Sequence, residues 1–186
     1  MLVARARAGD HDAFAVLTAR YQDRVYAIAR SFVRDSEDAL DLAQETFVKA
    51  FRGLGGFRGG PGLCTWLCRI AANSSRDWLR KQARRKAVSL DDEEIQGSGF
   101  EPPATDALSD PAGVAEREEL RAAVRSAVQK LPEELRLAVL LHDIEGLSQR
   151  NVAEATGCCL GTAKTRVFRG RARLRRLLGA YVEGRG

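Results

Sequence analysis

The chain has 186 residues, 30% of them charged, and a formal net charge of +5. This length allows one large domain or two small ones. No stretch approaches the roughly 18–20 consecutive apolar residues that span a bilayer, and the first residues lack the apolar core of a signal peptide. We therefore expect a cytoplasmic protein whose thiols stay reduced.

Positive charge is concentrated in two blocks. Residues 64–86 hold seven Lys or Arg and one acid, and residues 159–186 hold eight and one. Together the blocks carry a net charge of +13, so the rest of the chain carries −8. This distribution is typical of a protein that contacts a polyanion at two places.

Apolar residues at helical spacing fill the first fifty positions. They recur every three or four residues along 14–32 and again along 40–51, and Asp35 or Ser36 can cap the second of these helices. The predicted apolar stripes are Phe14, Leu17, Tyr21, Val25, Ile28 and Phe32 in the first helix and Leu40, Ala43, Phe47, Ala50 and Phe51 in the second.

Two breaks interrupt this pattern. Residues 54–62 are rich in glycine, and a third helix is predicted at about 65–85. Residues 87–113 hold seven acids, three prolines and no Lys or Arg, which predicts a flexible acidic linker. We therefore predict two small helical domains, residues 1–86 and residues 114–186.

The C-terminal domain shows the same helical spacing. One helix is predicted to end near Leu131, and the next to begin with Pro132 and stop at Gly146. The two-residue alternation of a strand is nowhere sustained, so the sequence predicts an all-α fold. The apolar stripes are Leu120, Val124, Val128 and Leu131 in the first helix and Leu135, Val139, Leu140 and Ile144 in the second.

Residues 148–178 indicate a helix, a tight turn and a basic helix. Ser148 can cap the first helix, Gly157 suits its left-handed end, and Thr162 can cap the second helix. This is the pattern of a helix-turn-helix, whose second helix lies in the DNA major groove. The second helix has a stripe of Ala163, Val167, Leu174 and Leu178 and an opposite face of Lys164, Arg166, Arg169, Arg173 and Arg176.

Two helices of the first domain carry exposed charge of opposite sign. The acidic helix presents either a solvated face or a surface that docks on a basic protein. The basic helix follows the glycine-rich loop and Trp66, an arrangement that favours stacking and holding of single-stranded bases. The acids are Glu37, Asp38, Asp41 and Glu45, and the basic face holds Arg69, Asn73, Arg76, Arg80 and Arg84.

The cysteines and histidines do not indicate a catalytic, redox or metal-binding site. Cys64 and Cys68 form one pair and Cys158 and Cys159 another, and neither has a nearby histidine, which favours free structural thiols over a zinc or redox site. The two histidines are isolated from any nucleophile. We therefore expect no enzyme, no cofactor, no metal site and no small-molecule substrate.

Four segments resemble those of bacterial RNA polymerase sigma factors. The group that they resemble most is the two-domain extracytoplasmic-function (ECF) type, sigma-E-like. The resemblance implies an alternative sigma factor that directs core RNA polymerase to the specific promoters of a stress or resistance regulon. The segments are DLAQETFVKAFRGL (41–54), FRGGPGLCTWLCRIAANSSRDWLR (57–80), LPEELRLAVLLHDIEGLSQRNVAEATG (131–157) and GTAKTRVFRGRARLRRLL (161–178).

The resemblance also implies partners and site residues. The acidic helix would dock on the β′ clamp helices, the first domain would open and read the −10 element, and the second would read the −35 element and touch the β flap. A membrane-bound anti-sigma factor is a further implied partner. The residues are Asp41, Gln44, Glu45 and Phe47 for the polymerase, Trp66 and Asn73 with Arg76 and Arg80 for −10 DNA, and Lys164, Thr165, Arg166, Phe168 and Arg169 for −35 DNA.

The sequence departs from the family pattern in the loop, at Gly60, Pro61 and Cys64. Two other classes of function stay open at this stage. One is a free-standing helix-turn-helix regulator, which leaves the acidic helix and Trp66 unexplained. The other is a thiol- or metal-sensing switch built on Cys64 and Cys68.

Overall fold

Helices make up the regular structure of the described residues. The computed structural model describes residues 1–33, 35–59, 62–88 and 111–183, except the side chains of 86–88, 111–118 and 180–183. Within these ranges there is no strand, and the predicted all-α fold is confirmed. The helices are α1 (Leu2–Arg7), α2 (His11–Phe32), α3 (Ser36–Gly53), α4 (Leu63–Val88), α5 (Pro111–Gln129), α6 (Glu133–Val139), α7 (Gln149–Thr156) and α8 (Leu160–Glu183).

Helices α2, α3 and α4 pack against one another, and α1 packs on α2. Asp10 caps α2 by accepting a hydrogen bond of 2.9 Å from the backbone N–H of Ala13. Of the two candidate caps for α3 the structure selects Asp35, whose carboxylate accepts from the N–H groups of Glu37 and Asp38. The buried centre of this group includes Leu17, Val25, Ile28, Leu42 and Leu67.

Small side chains are among the most deeply buried residues of α3 and α4. Ala39 and Ala50 of α3 and Ala72 of α4 have no exposed surface. Because the distance between helix axes depends on the side chains at the contact, alanine lets the backbones approach closely. Buried alanines are therefore compatible with the packing of α3 on α4, and these two helices carry most of the first domain's candidate site residues.

The stripe predicted for α3 is wrong at its two ends. Leu40 is 51% exposed and Phe51 is 37% exposed, whereas Leu42 and Thr46 are buried. The reason is that α3 packs on both α2 and α4. Its buried side is therefore shifted by about one residue toward the N-terminus of the helix relative to the predicted stripe. Phe51 instead packs at the edge of the bundle, 5.0 Å from the ring of Phe14.

Helix α8 packs against α6 and α7 in the second half of the chain. Pro132 precedes α6 instead of beginning it, and the helix predicted to continue to Gly146 ends at Val139. The chain then makes a π-helical turn, Leu140–Ile144. A π turn inserts an extra residue into the helical phase, so Ile144 is 57% exposed and not in the predicted stripe. The buried residues here include Leu137, Leu141, Val152 and Val167.

Helix α5 leaves part of its apolar stripe open. Leu120 is 53% exposed and Val124 is 38% exposed, and both border an apolar cavity of about 290 Å³. Since α4 continues to Val88 and α5 begins at Pro111, the ends of the predicted linker are helical. The rest of that linker, residues 89–110, lies outside the described residues. Over the described ranges, no helix has the length and apolar character needed to cross a membrane.

The two groups of helices contact each other, α7 packing against α4 and α6 against α2. Arg76 of α4 pairs with Glu133 of α6 at 3.1 Å. Arg24 of α2 pairs with Glu145, which follows the π turn. Helical periodicity cannot reveal these contacts, because the partners lie 57 and 121 residues apart in the chain.

Candidate nucleic-acid and protein interfaces

The turn between α7 and α8 has the geometry of a helix-turn-helix. The Ser148 hydroxyl accepts a hydrogen bond of 3.2 Å from the N–H of Asn151, and Gly157 ends α7 with φ of 68°. The prediction that Thr162 caps the second helix is wrong, since α8 begins at Leu160. Cys159 stands directly before α8, and its sulfur lies 3.1 Å from the Thr162 hydroxyl.

The basic face of α8 is open where the DNA-reading residues are predicted. Lys164, Thr165 and Arg169 are exposed, and Phe168 is 74% exposed. Their helix is anchored from behind by the buried Ala163 and Val167. The face therefore presents two cations, a hydroxyl and an apolar ring together.

Arg166 differs from the other predicted DNA contacts. Its guanidinium forms an ion pair of 2.6 Å with Glu134 of α6, and its side chain is 19% exposed. It lies at the edge of the basic face and not on its open part. Sequence spacing placed Arg166 on this face correctly but gave no sign of a partner on another helix.

A second site lies where α3, the glycine-rich loop and α4 meet. Trp66, in the first turn of α4, packs on Phe57 with ring centroids 5.1 Å apart, and the backbone of Gly53 lies against its other edge. Trp66 and the exposed Asn73 border one open cavity of about 410 Å³. The structure thus brings together the two residues predicted to open and read −10 DNA.

Lys49 also borders this cavity, although the sequence gave no reason to select it. Its ammonium group lies 2.9 Å from the Ser74 hydroxyl and 2.7 Å from the carboxylate of Glu45, one helical turn earlier. On a helix predicted to be acidic, the sequence indicates only that Lys49 can form an ion pair with Glu45, four residues earlier. Only the packing of α3 on α4 shows that it faces the cavity.

Arg76 and Arg80 do not line the cavity. Arg76 pairs with Glu133 across the contact between the two groups of helices, and Arg80 pairs with Asp77 at 3.1 Å on an exposed part of α4. They extend the positive surface along α4 beyond Asn73. Both arginines have an acidic partner, so they are set apart from Trp66 and Asn73 at the cavity.

The acidic helix α3 borders a groove of about 460 Å³ against α2. Gln44 and Phe47 line this groove, and so does Leu40, which the sequence had assigned to the core. Asp41 and Glu45 are exposed beside it. Partial burial, with the carboxylates of Asp35 and Asp41, raises the pKa of Asp38. The surface combines an apolar floor with concentrated negative charge.

The described side chains do not include a metal-binding cluster of three or more His, Cys, Asp or Glu. All four cysteines are free.

Comparison with known proteins identifies both halves of the chain. The family model for Sigma-70 region 2 matches residues 17–85, and the model for Sigma-70, region 4 matches residues 121–174. The RNA polymerase sigma-H factor of Pseudomonas aeruginosa is 38% identical over 173 residues, 91% of this chain and 88% of the relative. The ECF RNA polymerase sigma-E factor of Escherichia coli K12 is 40% identical over 172 residues, 92% and 89% of the two chains.

A solved structure agrees with these matches. The sigma factor RpoE, in complex with the anti-sigma factor NepR from Bartonella quintana, superposes with a TM-score of 0.73 at 28% identity, over 89% of this chain and 96% of that one. The class of protein is thus a two-region promoter-specificity subunit. The chain belongs to the ECF group of the sigma-70 family.

The function follows from the family. The chain is an alternative sigma factor that directs RNA polymerase to promoters, and it is not an enzyme. The free-standing regulator considered above is set aside, because region 2 is present as well as region 4.

Proposed function

We propose that region 2 opens and reads −10 DNA at the Trp66–Asn73 cavity while region 4 reads −35 DNA with the open face of α8. The observation that carries this proposal is the convergence of an aromatic ring and an exposed amide on one cavity. A base that leaves the duplex loses its stacking on neighbouring bases. Stacking on an aromatic side chain replaces that interaction and contributes about 1–3 kcal/mol per base. The Asn73 amide can then hydrogen-bond the edge of that base.

Run-off transcription with core RNA polymerase tests this proposal. A library of promoter fragments with a fixed start region and varied −35 and −10 hexamers is transcribed with and without the full chain. We expect transcripts from a subset of templates only when the chain is present. A chain that binds polymerase but selects no template would contradict the assignment of the two DNA sites.

The open face of α8 suits the major groove. Lys164 and Arg169 supply donors for phosphates or guanine, and an exposed phenyl ring such as Phe168 can contact the methyl group of thymine. This gives a functional reason for an apolar ring that is 74% exposed. Arg166 needs to leave Glu134 before it can contact DNA fully.

We expect Arg169→Ala to cost about 1–3 kcal/mol at a single −35 position if Arg169 reads a base. The measurement is the binding of full chain plus core polymerase to templates that differ one base pair at a time. The control is Arg175→Ala, an exposed arginine later on α8. An equal loss on every sequence would show instead that Arg169 contacts a phosphate.

We propose that polymerase docks on the groove of α3, on Asp41, Gln44, Glu45 and Phe47. Docking surfaces gain most of their affinity from a few buried apolar anchors, with charged residues around them steering the encounter. Phe47 and Leu40 provide the anchor here, and the acids provide the charge. The basic partner surface that this chemistry requires fits the β′ clamp helices.

Phe47→Ala is expected to weaken binding to core polymerase by about 2 kcal/mol or more, roughly 30-fold, as for other aromatic anchors. The matched control is Val48→Ala, because Val48 is 48% exposed on the same helix but does not line the groove. Affinity is measured by titrating labelled chain with core polymerase. Equal losses for the two variants would place the docking surface elsewhere.

We further propose that an anti-sigma factor holds the chain inactive, as the RpoE–NepR complex suggests. A membrane-bound form of that partner would couple the chain to conditions at the envelope, and a stress or resistance regulon would follow. The chain itself would act in the cytoplasm, where core polymerase works. Co-purification of the tagged chain from membrane and soluble fractions tests this, and an inhibitor found only in the soluble fraction would contradict it.

A further inference from the structure

Cys64 lies in a group of ionisable side chains that promoter recognition does not use. It is the second residue of α4 and is partly exposed. The guanidinium of Arg24, on α2, donates to its sulfur. The same guanidinium is bound by the carboxylate of Glu145 and, at 3.3 Å, by the Glu145 carbonyl. Cys64 therefore sits where region 2 touches region 4.

Cys68 completes the group one helical turn later on the same face of α4. It is fully buried, and its thiol hydrogen-bonds the sulfur of Cys64. This hydrogen bond, and then Arg24, lower the pKa of Cys64 to about 6 against the opposing effects of partial burial and the Glu145 carboxylate. The same hydrogen bond and its burial raise the pKa of Cys68. The lowered pKa favours the thiolate form of Cys64, and the raised pKa keeps the proton on Cys68.

A disulfide between Cys64 and Cys68 requires the backbone at Cys64 to shift. Side chains four residues apart on a helix have Cβ atoms about 5–6 Å apart, and a disulfide needs about 3.5–4.5 Å. Cys64 lies in the first turn of α4, where backbone N–H groups have no partner within the helix. A shift there breaks few hydrogen bonds.

We propose that Cys64 is a site of reversible oxidation by hydroperoxides and that Cys68 converts the oxidised form to a disulfide. The thiolate attacks one oxygen of ROOH, the O–O bond breaks, and the leaving alkoxide takes a proton to give ROH. Cys64 is then a sulfenic acid. The Cys68 sulfur attacks it, the S–S bond forms as the S–O bond breaks, and the released hydroxide takes the Cys68 proton to give water.

The oxidation removes one of the two negative groups that hold Arg24. In the reduced protein the guanidinium lies between a thiolate and the carboxylate of Glu145, and in the disulfide form only Glu145 remains. Formation of the disulfide also shifts the first turn of α4, which carries Trp66. Oxidation therefore acts on the contact between the two regions and on the −10 cavity together.

Alkylation of each cysteine as a function of pH is the first test. The reduced full chain is treated with isotope-coded iodoacetamide, and the rate at every cysteine is read by peptide mass spectrometry. We expect Cys64 to reach half its maximal rate near pH 6. Cys159 is the internal competitor, because it is exposed and hydrogen bonds from Thr162 lower its pKa.

Variants of Arg24 and Cys68 distinguish the effect of these neighbours on the reactivity of Cys64 from the effect of solvent exposure alone. Arg24→Gln and Cys68→Ala should each move the Cys64 midpoint toward the value of about 8.5 of an ordinary thiol, and Arg24→Lys should keep it low. Arg20→Gln is the matched control, since Arg20 is exposed one turn earlier on α2, and it should change nothing. A wild-type midpoint near 8.5 would overturn the proposal.

Oxidation with hydrogen peroxide is the second test. We expect the wild-type chain to lose two hydrogens in a Cys64–Cys68 disulfide that dithiothreitol reverses. Cys68→Ser should stop at a Cys64 sulfenic acid that dimedone traps, and Cys64→Ser should abolish both products. Oxidation confined to Cys158 and Cys159 would overturn the modification site. A wild-type Cys64 that proceeds to sulfinic acid without a disulfide would overturn the role of Cys68.

Discussion

Trp66→Ala is expected to slow the formation of open promoter complexes by about 5- to 150-fold, which corresponds to 1–3 kcal/mol of lost stacking on one base. The expectation rests on the placement of the ring, which Phe57 and Gly53 hold at the border of the cavity. Permanganate reactivity of unpaired thymines around −10, followed over time with core polymerase present, measures the opening directly. Trp66→Phe should retain most of the rate.

A template with a mismatched −10 region separates opening from reading. Because its strands are already apart, it should restore most of the rate to Trp66→Ala. It should not restore Asn73→Ala, which loses contacts to the extruded base. Thermal unfolding of each variant controls for damage to the fold, since Trp66 is half-buried. Normal opening by Trp66→Ala on duplex DNA would rule out Trp66 as part of the opening site.

Gly170→Ala is expected to lower the free energy of unfolding by about 1–3 kcal/mol, as other enlargements of packed sites do. Helix propensity alone predicts the opposite sign, a gain of about 1 kcal/mol for alanine in place of glycine within a helix. The structure decides between the two effects. A Cβ at Gly170 would lie 2.5 Å from a methyl group of Val139 and 3.2 Å from the carbonyl oxygen of Leu135.

The matched control for this prediction is Gly179→Ala, on the same helix. A Cβ there would meet no atom within 4 Å, so propensity should dominate and the variant should be as stable as the parent or slightly more so. Urea unfolding followed by circular dichroism gives both values. Equal behaviour of the two variants would show that α6 and α8 are not as close as described.

The local signals in the sequence were strong enough to predict most of the secondary structure. The hydroxyl of Ser148 caps the start of α7 and Gly157 ends it in the left-handed region, as the sequence predicts. Such caps are predictable because capping depends on near neighbours only. Trp66 and Asn73 also border one cavity, since seven residues span two turns of one helix.

Contacts between distant helices were out of reach of the same reasoning. Nothing in the spacing of α8 indicates that Arg166 binds Glu134, or that Gly170 lies against α6. The apolar stripe predicted for α3 was wrong at its ends for a related reason. Periodicity shows that a helix has an apolar side, but it does not show whether a particular member such as Leu40 faces the core or a groove.

The buried alanines of α3 and α4 bear on which mutations this protein can tolerate. Where Ala39, Ala50 and Ala72 meet their neighbours, there is almost no side-chain volume left to remove, so the deletions that usually destabilise a core are not available there. Nearly every accessible substitution at these positions adds atoms and forces the helices apart. Side-chain size at these positions is therefore limited from above, and so is the packing of the two helices that border the Trp66–Asn73 cavity.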